Sequence, residues 1–305
     1  MNSNNYRSIF IGGIHLVAPL LKTLLKHDFG LKAVFCPNKN YCSNSDYLDL
    51  TTIVEEDVPC HIYDDVNSVE NISLIASYKP TVIYAIGISQ IINKQILNIP
   101  SFGVLGGHIS MLPENRGCSP LIWTIANGLT ESALSLIWLD KGIDSGKIAE
   151  QRKFTIEEHE NAFDIYSKVS LLYSSIFEHS LLPKFHKSIF PATPQEFSNI
   201  SNRWRKRSFK DGVIDWRMSA KRIHNLIRAL HHPYPGASFF HNNVEYKVWN
   251  SEIKKANEKF EPGKILDINI SRNVVTIKAG DNALCLLKHN LDLNTLKINS
   301  YLIDL

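Results

Sequence analysis

What the chain has little of narrows its class. Cysteine is sparse and ill-spaced: Cys36, Cys42, Cys60, Cys118 and Cys285 are odd in number and form no C-x-x-C pair. Neither a disulfide framework nor a zinc site is indicated, and a reducing compartment fits. Charge of one sign is also lacking. The 33 Lys and Arg stand against 30 Asp and Glu, leaving +3, too weak a balance to mark a nucleic-acid binder by itself. No apolar run approaches the roughly 20 residues that cross a bilayer, so no membrane association is expected. The polar start, residues 1–7, lacks the apolar core of a signal peptide, and a cytoplasmic location is the expectation. A dinucleotide fingerprint is missing too. Gly12-Gly13 follows the first apolar run, but G-x-G-x-x-G is absent, so the pair reads as a close strand-to-helix turn.

What is there suits a globular chain. Its 305 residues, 44% hydrophobic and 21% charged, suffice for one large or two ordinary domains. Strands are expected at 8–11, 31–36, 60–63, 81–86, 132–139 and 153–156. Helices are expected at 15–27, at 66–79, at 91–97, from 120, and over 161–182, with another ending at 53–56. This β-α-β alternation predicts a parallel sheet with helices on both faces. Residues 190–202 read as a linker. Beyond it come a helix over 215–230, stopped by Pro233, and five short strands separated by turn signals such as His241-Asn242-Asn243. That pattern suggests a small, OB-like β domain. The expected division is 1–202 and 203–305.

The densest stretch for chemistry follows the 81–86 strand. It reads Gly106-Gly107-His108-Ile109-Ser110-Met111-Leu112-Pro113, then Arg116-Gly117 and Pro120. A second tight loop, Gly142-Ile143-Asp144-Ser145-Gly146, carries one acid. In open α/β sheets, ligands bind outside the carboxyl ends of the strands. A His and an Asp on two such loops can form a base and its orienter.

The composite of His108, Ser110-Met111-Leu112-Pro113, Arg116-Gly117, Pro120 and Asp144-Ser145-Gly146 resembles the tetrahydrofolate-dependent formyltransferases. Ile214-Asp215-Trp216, Ile227-Arg228-Ala229 and Pro233-Tyr234-Pro235-Gly236 are similar to their C-terminal domain, so the likeness covers nearly the whole chain. The resemblance implies a Rossmann-like domain holding the folate and catalytic sites, and an OB-like second domain. It implies N10-formyltetrahydrofolate as co-substrate and no metal. It implies His108 and Asp144 as catalytic residues. Folate would lie against Gly87, Ile88, Ser89 and Gln90, and against Leu112, Pro113, Arg116 and Gly117. The acceptor suggested by the nearest branch is a nucleotide-linked amino sugar destined for surface polysaccharide such as lipopolysaccharide; methionyl-tRNA is the alternative. A transfer-RNA enzyme would want a basic recognition loop, and residues 37–50 hold one Lys and two Asp. A homodimer stands among the expected assemblies.

Bland readings compete with each assignment. A lone His is ordinarily a surface or hydrogen-bonded core residue, and Asp144 would ordinarily be a turn residue. Arg116 reads equally as a phosphate contact or a loop brace. Cys118 reads as a small packed hydrophobe. His231-His232 reads as a diverging pair rather than a metal site. Arg203-Trp204-Arg205-Lys206-Arg207 with Lys210 reads as solvated charge. One departure from the family stands out: its catalytic Asn would fall at 106, where this chain has Gly106. Losing one oxyanion donor costs roughly 2.7–4 kcal/mol. Three explanations are open. One is a recruited donor, such as a water, Asn115 or a backbone N–H of Gly106-Gly107. Another is a different acyl donor or acceptor. Or the protein is a catalytically silent binder of folate or nucleotide.

Overall fold

The structure, a computed structural model, describes all residues except 1–5, 28, 29, 42–45, 55, 197–201 and 303–305. Parts of the polar start, of the 37–50 loop and of the 190–202 linker therefore lie outside the described residues. In chain order the elements are β1 (Ser8–Ile11), α1 (Ala18–Lys26), β2 (Leu31–Pro37), β3 (Cys60–Tyr63), α2 (Val69–Ser77), β4 (Val82–Ala85), α3 (Lys94–Leu97) and β5 (Gly103–His108). Then come β6 (Arg116–Gly117), α4 (Pro120–Ala126), β7 (Glu131–Trp138), β8 (Ile148–Thr155), α5 (Ala162–Ile176), α6 (Leu182–His186), β9 (Arg203–Trp204) and α7 (Ala220–Ala229). The chain closes with β10 (Ala237–His241), β11 (Val244–Lys254), β12 (Ile265–Asn269), β13 (Val274–Lys278) and β14 (Ala283–His289). These residues fall into two compact units. One is Met1–Pro120, Glu131–Phe154 and Tyr166–Trp204; the other is Leu121–Thr130, Thr155–Ile165 and Arg205–Leu305.

The first unit is built on a sheet of order β3-β2-β1-β4-β5-β7-β8. The strands from β3 to β5 pair in parallel. β7 pairs antiparallel to β5, so the sheet is mixed where a parallel one is expected. The run Ser132–Ile137 is buried throughout, and such a run reports cover on both faces but carries no information on strand direction. Ile9, Ile11, Ala33, Phe35, Ile83, Ala85 and Val104 alternate onto one face and pack with Val66, Ile75 and Ile96. The strand order reverses between β1 and β4, which sets the ligand crevice of this fold class at the carboxyl ends of the central strands.

Local chemistry decides where several helices start and stop. Pro19 stands in the first turn of α1, where its missing N–H is harmless. Ser68 caps α2 by accepting from Asn71 N at 3.2 Å. Asn93 caps α3 through Ile96 N at 3.0 Å, which shortens the expected 91–97 helix to Lys94–Leu97. The helix expected to end at 53–56 is a single 3-10 turn, Leu50–Thr52, capped by Asp49. The expected 161–182 helix passes from α5 through a π turn, Phe177–Leu181, into α6. Pro183 lacks the N–H that would continue a regular ladder there.

The second unit carries the sheet β10-β11-β14-β13-β12, with antiparallel pairings, and α7 packs on β11. This helix starts five residues later than the periodicity predicts. Asp215 accepts from Arg217 N at 2.9 Å to make a turn, and Ser219 then caps through Arg222 N at 3.3 Å. Asn242 and Asn243, at φ 52 and 59, form the two-residue hairpin between β10 and β11 that their type favours.

Candidate active site

His108 is the last residue of β5 rather than a loop residue. Side chains alternate along a strand, so Val104, Gly106 and His108 share one face. The imidazole is 6% exposed. Its Nε2 lies 2.9 Å from the carbonyl of Asn115, and its Nδ1 lies 3.5 Å from Asp144 Oδ2. A carbonyl only accepts, so Nε2 carries the proton. Nδ1, facing the carboxylate, is then the nitrogen free to take a second proton. The structure thus brings together the two residues singled out for acid–base work.

Asp144 occupies the turn joining β7 to β8, at φ 52. Its Oδ2 accepts from Gly117 N at 2.9 Å. Asp140, absent from the sequence reading, organises the same turn by accepting from Gly142 N at 2.9 Å and Ser145 Oγ at 2.7 Å. Gln195 ties the turn down from outside. Its amide donates to Asp144 O at 2.8 Å and Gly146 O at 2.7 Å, and its Oε1 accepts from Arg116 Nη2 at 3.2 Å. Burial pulls the Arg116 guanidinium below its ordinary value, while Asp144 and Asp140 oppose that. Arg116 therefore serves at least as a loop brace.

The stretch read as a linker packs where it is described. Thr193 bridges Ile148. Asn202 Oδ1 accepts from Asn115 N at 2.7 Å while its Nδ2 donates to Asn115 Oδ1 at 2.8 Å. β9 then runs parallel to β6. Gly117, at φ 103, is required there, because a Cβ would stand 2.0 Å from Trp204 O. Behind this layer Gln151 Nε2 donates to Leu112 O at 3.0 Å and to Ser135 Oγ at 2.9 Å. Ser135 Oγ donates in turn to Ser110 O at 2.7 Å. Only its polar, proline-containing composition suggests a linker; nothing in that composition marks Gln195 as a buried partner of Arg116, or Asn202 as a partner of Asn115.

Gly106 has a filled face. A Cβ there would lie 2.6 Å from Leu139 Cδ2, and Leu139 packs against the sheet's core cluster. On the opposite face of the strand, a Cβ at Gly107 would lie 2.1 Å from the Tyr173 hydroxyl. The other expected folate contacts fall into two groups. Leu112 and Pro113 follow His108 on the tethered loop, with Leu112 buried. Gly87 turns the chain after β4 at φ 72, Ile88 packs on the core, and Ser89 is exposed. Gln90 is committed inward: it accepts from Val66 N at 2.8 Å and donates to Asp64 O at 2.7 Å. What the 87–90 loop offers a ligand is therefore its backbone and Ser89 rather than the Gln90 amide.

The basic cluster and the His pair sit in local structure. Arg205 forks onto Asp211 and lies 5.3 Å from the Trp123 ring centroid; Arg207 is half-buried. The rings of His231 and His232 stand at 88°, and His232 stacks on Trp249.

The chain thus joins a mixed α/β sheet, with a His–Asp pair over its carboxyl edge, to a β-rich unit. The formyl transferase pattern matches residues 7–184, and the formyl transferase C-terminal domain matches residues 207–303. The chain belongs to the formyl transferase family. It is 35% identical over 215 residues to the bifunctional polymyxin resistance protein ArnA of Wigglesworthia glossinidia brevipalpis, covering 70% of this chain and 32% of that protein. The chain thus spans about a third of that relative's length. It is 27% identical over 301 residues to the methionyl-tRNA formyltransferase of Caldanaerobacter subterraneus subsp. tengcongensis, covering 92% of this chain and 91% of that one. Among solved structures, the N-formyltransferase of Helicobacter canadensis, in complex with folinic acid and dTDP-3-aminofucose, superposes with TM-score 0.69 at 18% identity. That match covers 93% of this chain and all of the other, 100%.

Proposed function

We propose that this protein transfers a formyl group from N10-formyltetrahydrofolate to the amino group of a nucleotide-linked amino sugar, in the synthesis of surface polysaccharide such as lipopolysaccharide. The observation that carries the reading is the buried His108, with one nitrogen held by Asn115 and the other facing Asp144. An attacking amine must lose a proton, and an imidazole beside a carboxylate takes it and is stabilised once charged. His108 Nδ1 is the accepting atom, Asn115 O orients the ring through Nε2, and Asp144 stabilises the imidazolium once Nδ1 is protonated. The co-substrate supplies the formyl group. Its carrier fits the backbone of Gly87, Ile88, Ser89 and Gln90 and the apolar wall at Leu112-Pro113, with Arg116 and Gly117 bordering the pair. The first unit carries this chemistry, and residues 203–305 supply the C-terminal domain.

Formylation of methionyl-tRNA is the second reading, favoured by the end-to-end alignment with a methionyl-tRNA formyltransferase. Against it, the 37–50 loop has a single Lys, and Arg205 is already paired with Asp211. The test is transfer of labelled formyl from N10-formyltetrahydrofolate to a panel of nucleotide-linked amino sugars and to initiator methionyl-tRNA. A labelled sugar nucleotide supports the reading, and a labelled tRNA replaces it. Folate or nucleotide binding with no turnover on any acceptor identifies a silent binder.

A further inference from the structure

We propose that Asn115 supplies the oxyanion-binding amide that residue 106 lacks; the assignment rests on the formyl-transfer reading above. Four side-chain amides surround the His108–Asp144 pair. Gln195 Nε2 donates to two carbonyls, and Gln151 Nε2 donates to a carbonyl and a hydroxyl. Each amide nitrogen has two N–H groups, so both are fully committed. Asn202 is fixed in orientation, because the Asn115 backbone N–H must meet its oxygen. Its nitrogen therefore points at Asn115 Oδ1. That contact fixes the Asn115 amide in turn: its oxygen faces Asn202 and its Nδ2 faces away. Among the described residues Asn115 Nδ2 has no partner.

Placement favours the same residue. The carbonyl of Asn115 holds His108 Nε2 at 2.9 Å, so Asn115 directly adjoins the acid–base imidazole. Asn115 is held at φ 59, a conformation that Asn adopts more readily than most residues. The place of a side chain at 106 is taken by Leu139, which has no donor. Gly106 itself lies inside the ladder between β4 and β7, so its backbone is engaged in the sheet.

The step balances without further reagents. The acceptor nitrogen's lone pair forms a bond to the formyl carbon, and the carbonyl π pair moves onto oxygen, where Asn115 Nδ2 donates to it. The proton released by the amine passes to His108 Nδ1. Collapse restores the C=O, breaks the bond to the folate nitrogen, and returns the proton to that nitrogen. Preorganised donors of this kind act chiefly on the transition state.

The experiment uses Asn115→Asp, which keeps the oxygen facing Asn202 and removes both N–H donors, with Asn115→Gly as a second variant that tolerates the backbone. A stable analogue, 10-formyl-5,8-dideazafolate labelled with 13C at the formyl carbon, is bound to each protein. The expected result is a downfield carbonyl resonance in the wild type that both variants lose. In turnover, kcat is expected to fall about a hundred- to thousandfold with little change in the folate KM. The same bound resonance in all three proteins, or a kcat within about threefold of wild type, overturns the assignment alone. Failure of the wild type to bind the analogue overturns the folate reading, and the assignment with it.

Discussion

Gln195 donates to the backbone carbonyl of Asp144 at 2.8 Å across fifty-one residues of sequence. With its second bond to Gly146, it holds the acid's turn by the backbone and leaves the carboxylate free to face His108. Gln195→Ala removes the donor for both carbonyls, and losses of this kind cost about 1–3 kcal/mol. The expected outcome is a lowered urea midpoint together with a kcat reduced more than the folate KM is raised. A variant with normal stability and normal kcat would show that the turn holds itself.

Replacing His108 by Asn keeps a polar side chain and removes the base. Transfer is expected to slow about a hundred- to ten-thousandfold, while calorimetric folate affinity stays near wild type. Loss of folate affinity equal to the loss of rate would instead make His108 a binding residue.

Gly106→Asn alone meets Leu139 at 2.6 Å. Overpacking of this kind costs about 1–3 kcal/mol, so the single variant is expected to unfold at lower urea. Gly106→Asn combined with Leu139→Ala recovers most of that stability. In an Asn115→Asp background the pair is expected to restore part of the lost kcat. A single variant as stable as the wild type would show that Leu139 swings aside without penalty.

Acid stability should report on Asp211. The Arg205 fork, with backbone and hydroxyl donation from Ser208, outweighs burial and holds this carboxylate well below its ordinary value. A group depressed in the folded state contributes stability that is present above its unfolded pKa, about 3.9, and lost as pH falls through the folded value. Asp211→Asn is therefore expected to destabilise the protein at neutral pH and to flatten the decline below about pH 4, read by urea midpoints across pH. An unchanged acid limb would remove Asp211 as its source.

The strands and the His–Asp pair were legible because their signals are local. β1, β2 and β4 are short apolar runs closed by turns, His108 ends a strand inside a recognisable motif, and Asp144 sits in a glycine-flanked turn. The C-terminal domain was legible in the same way, as five short strands between turn signals, and the family resemblance agrees with it. Strand direction was not legible, since Ser132–Ile137 is buried throughout and reads the same either way. Helix starts were misplaced where one capping side chain decides them, as at Asn93 and Ser219. The 190–202 stretch misled most. Gln195 and Asn202 look like linker residues, and their importance lies in partners 51 and 87 residues away, a separation that no local pattern records.

Leu139 against Gly106 also bears on how this strand can change. A side chain at 106 collides with Leu139, and one at 107 collides with Tyr173 on the other face. Each glycine thus faces a neighbour whose side chain fills the space of a Cβ. A lone change to a larger residue at either glycine meets a clash that a second, compensating change relieves. The order of such changes matters: shrinking the neighbour first opens a gap, and enlarging the glycine first creates a clash. Each glycine of the strand that ends in His108 is therefore coupled to its facing neighbour, and the two must change size together.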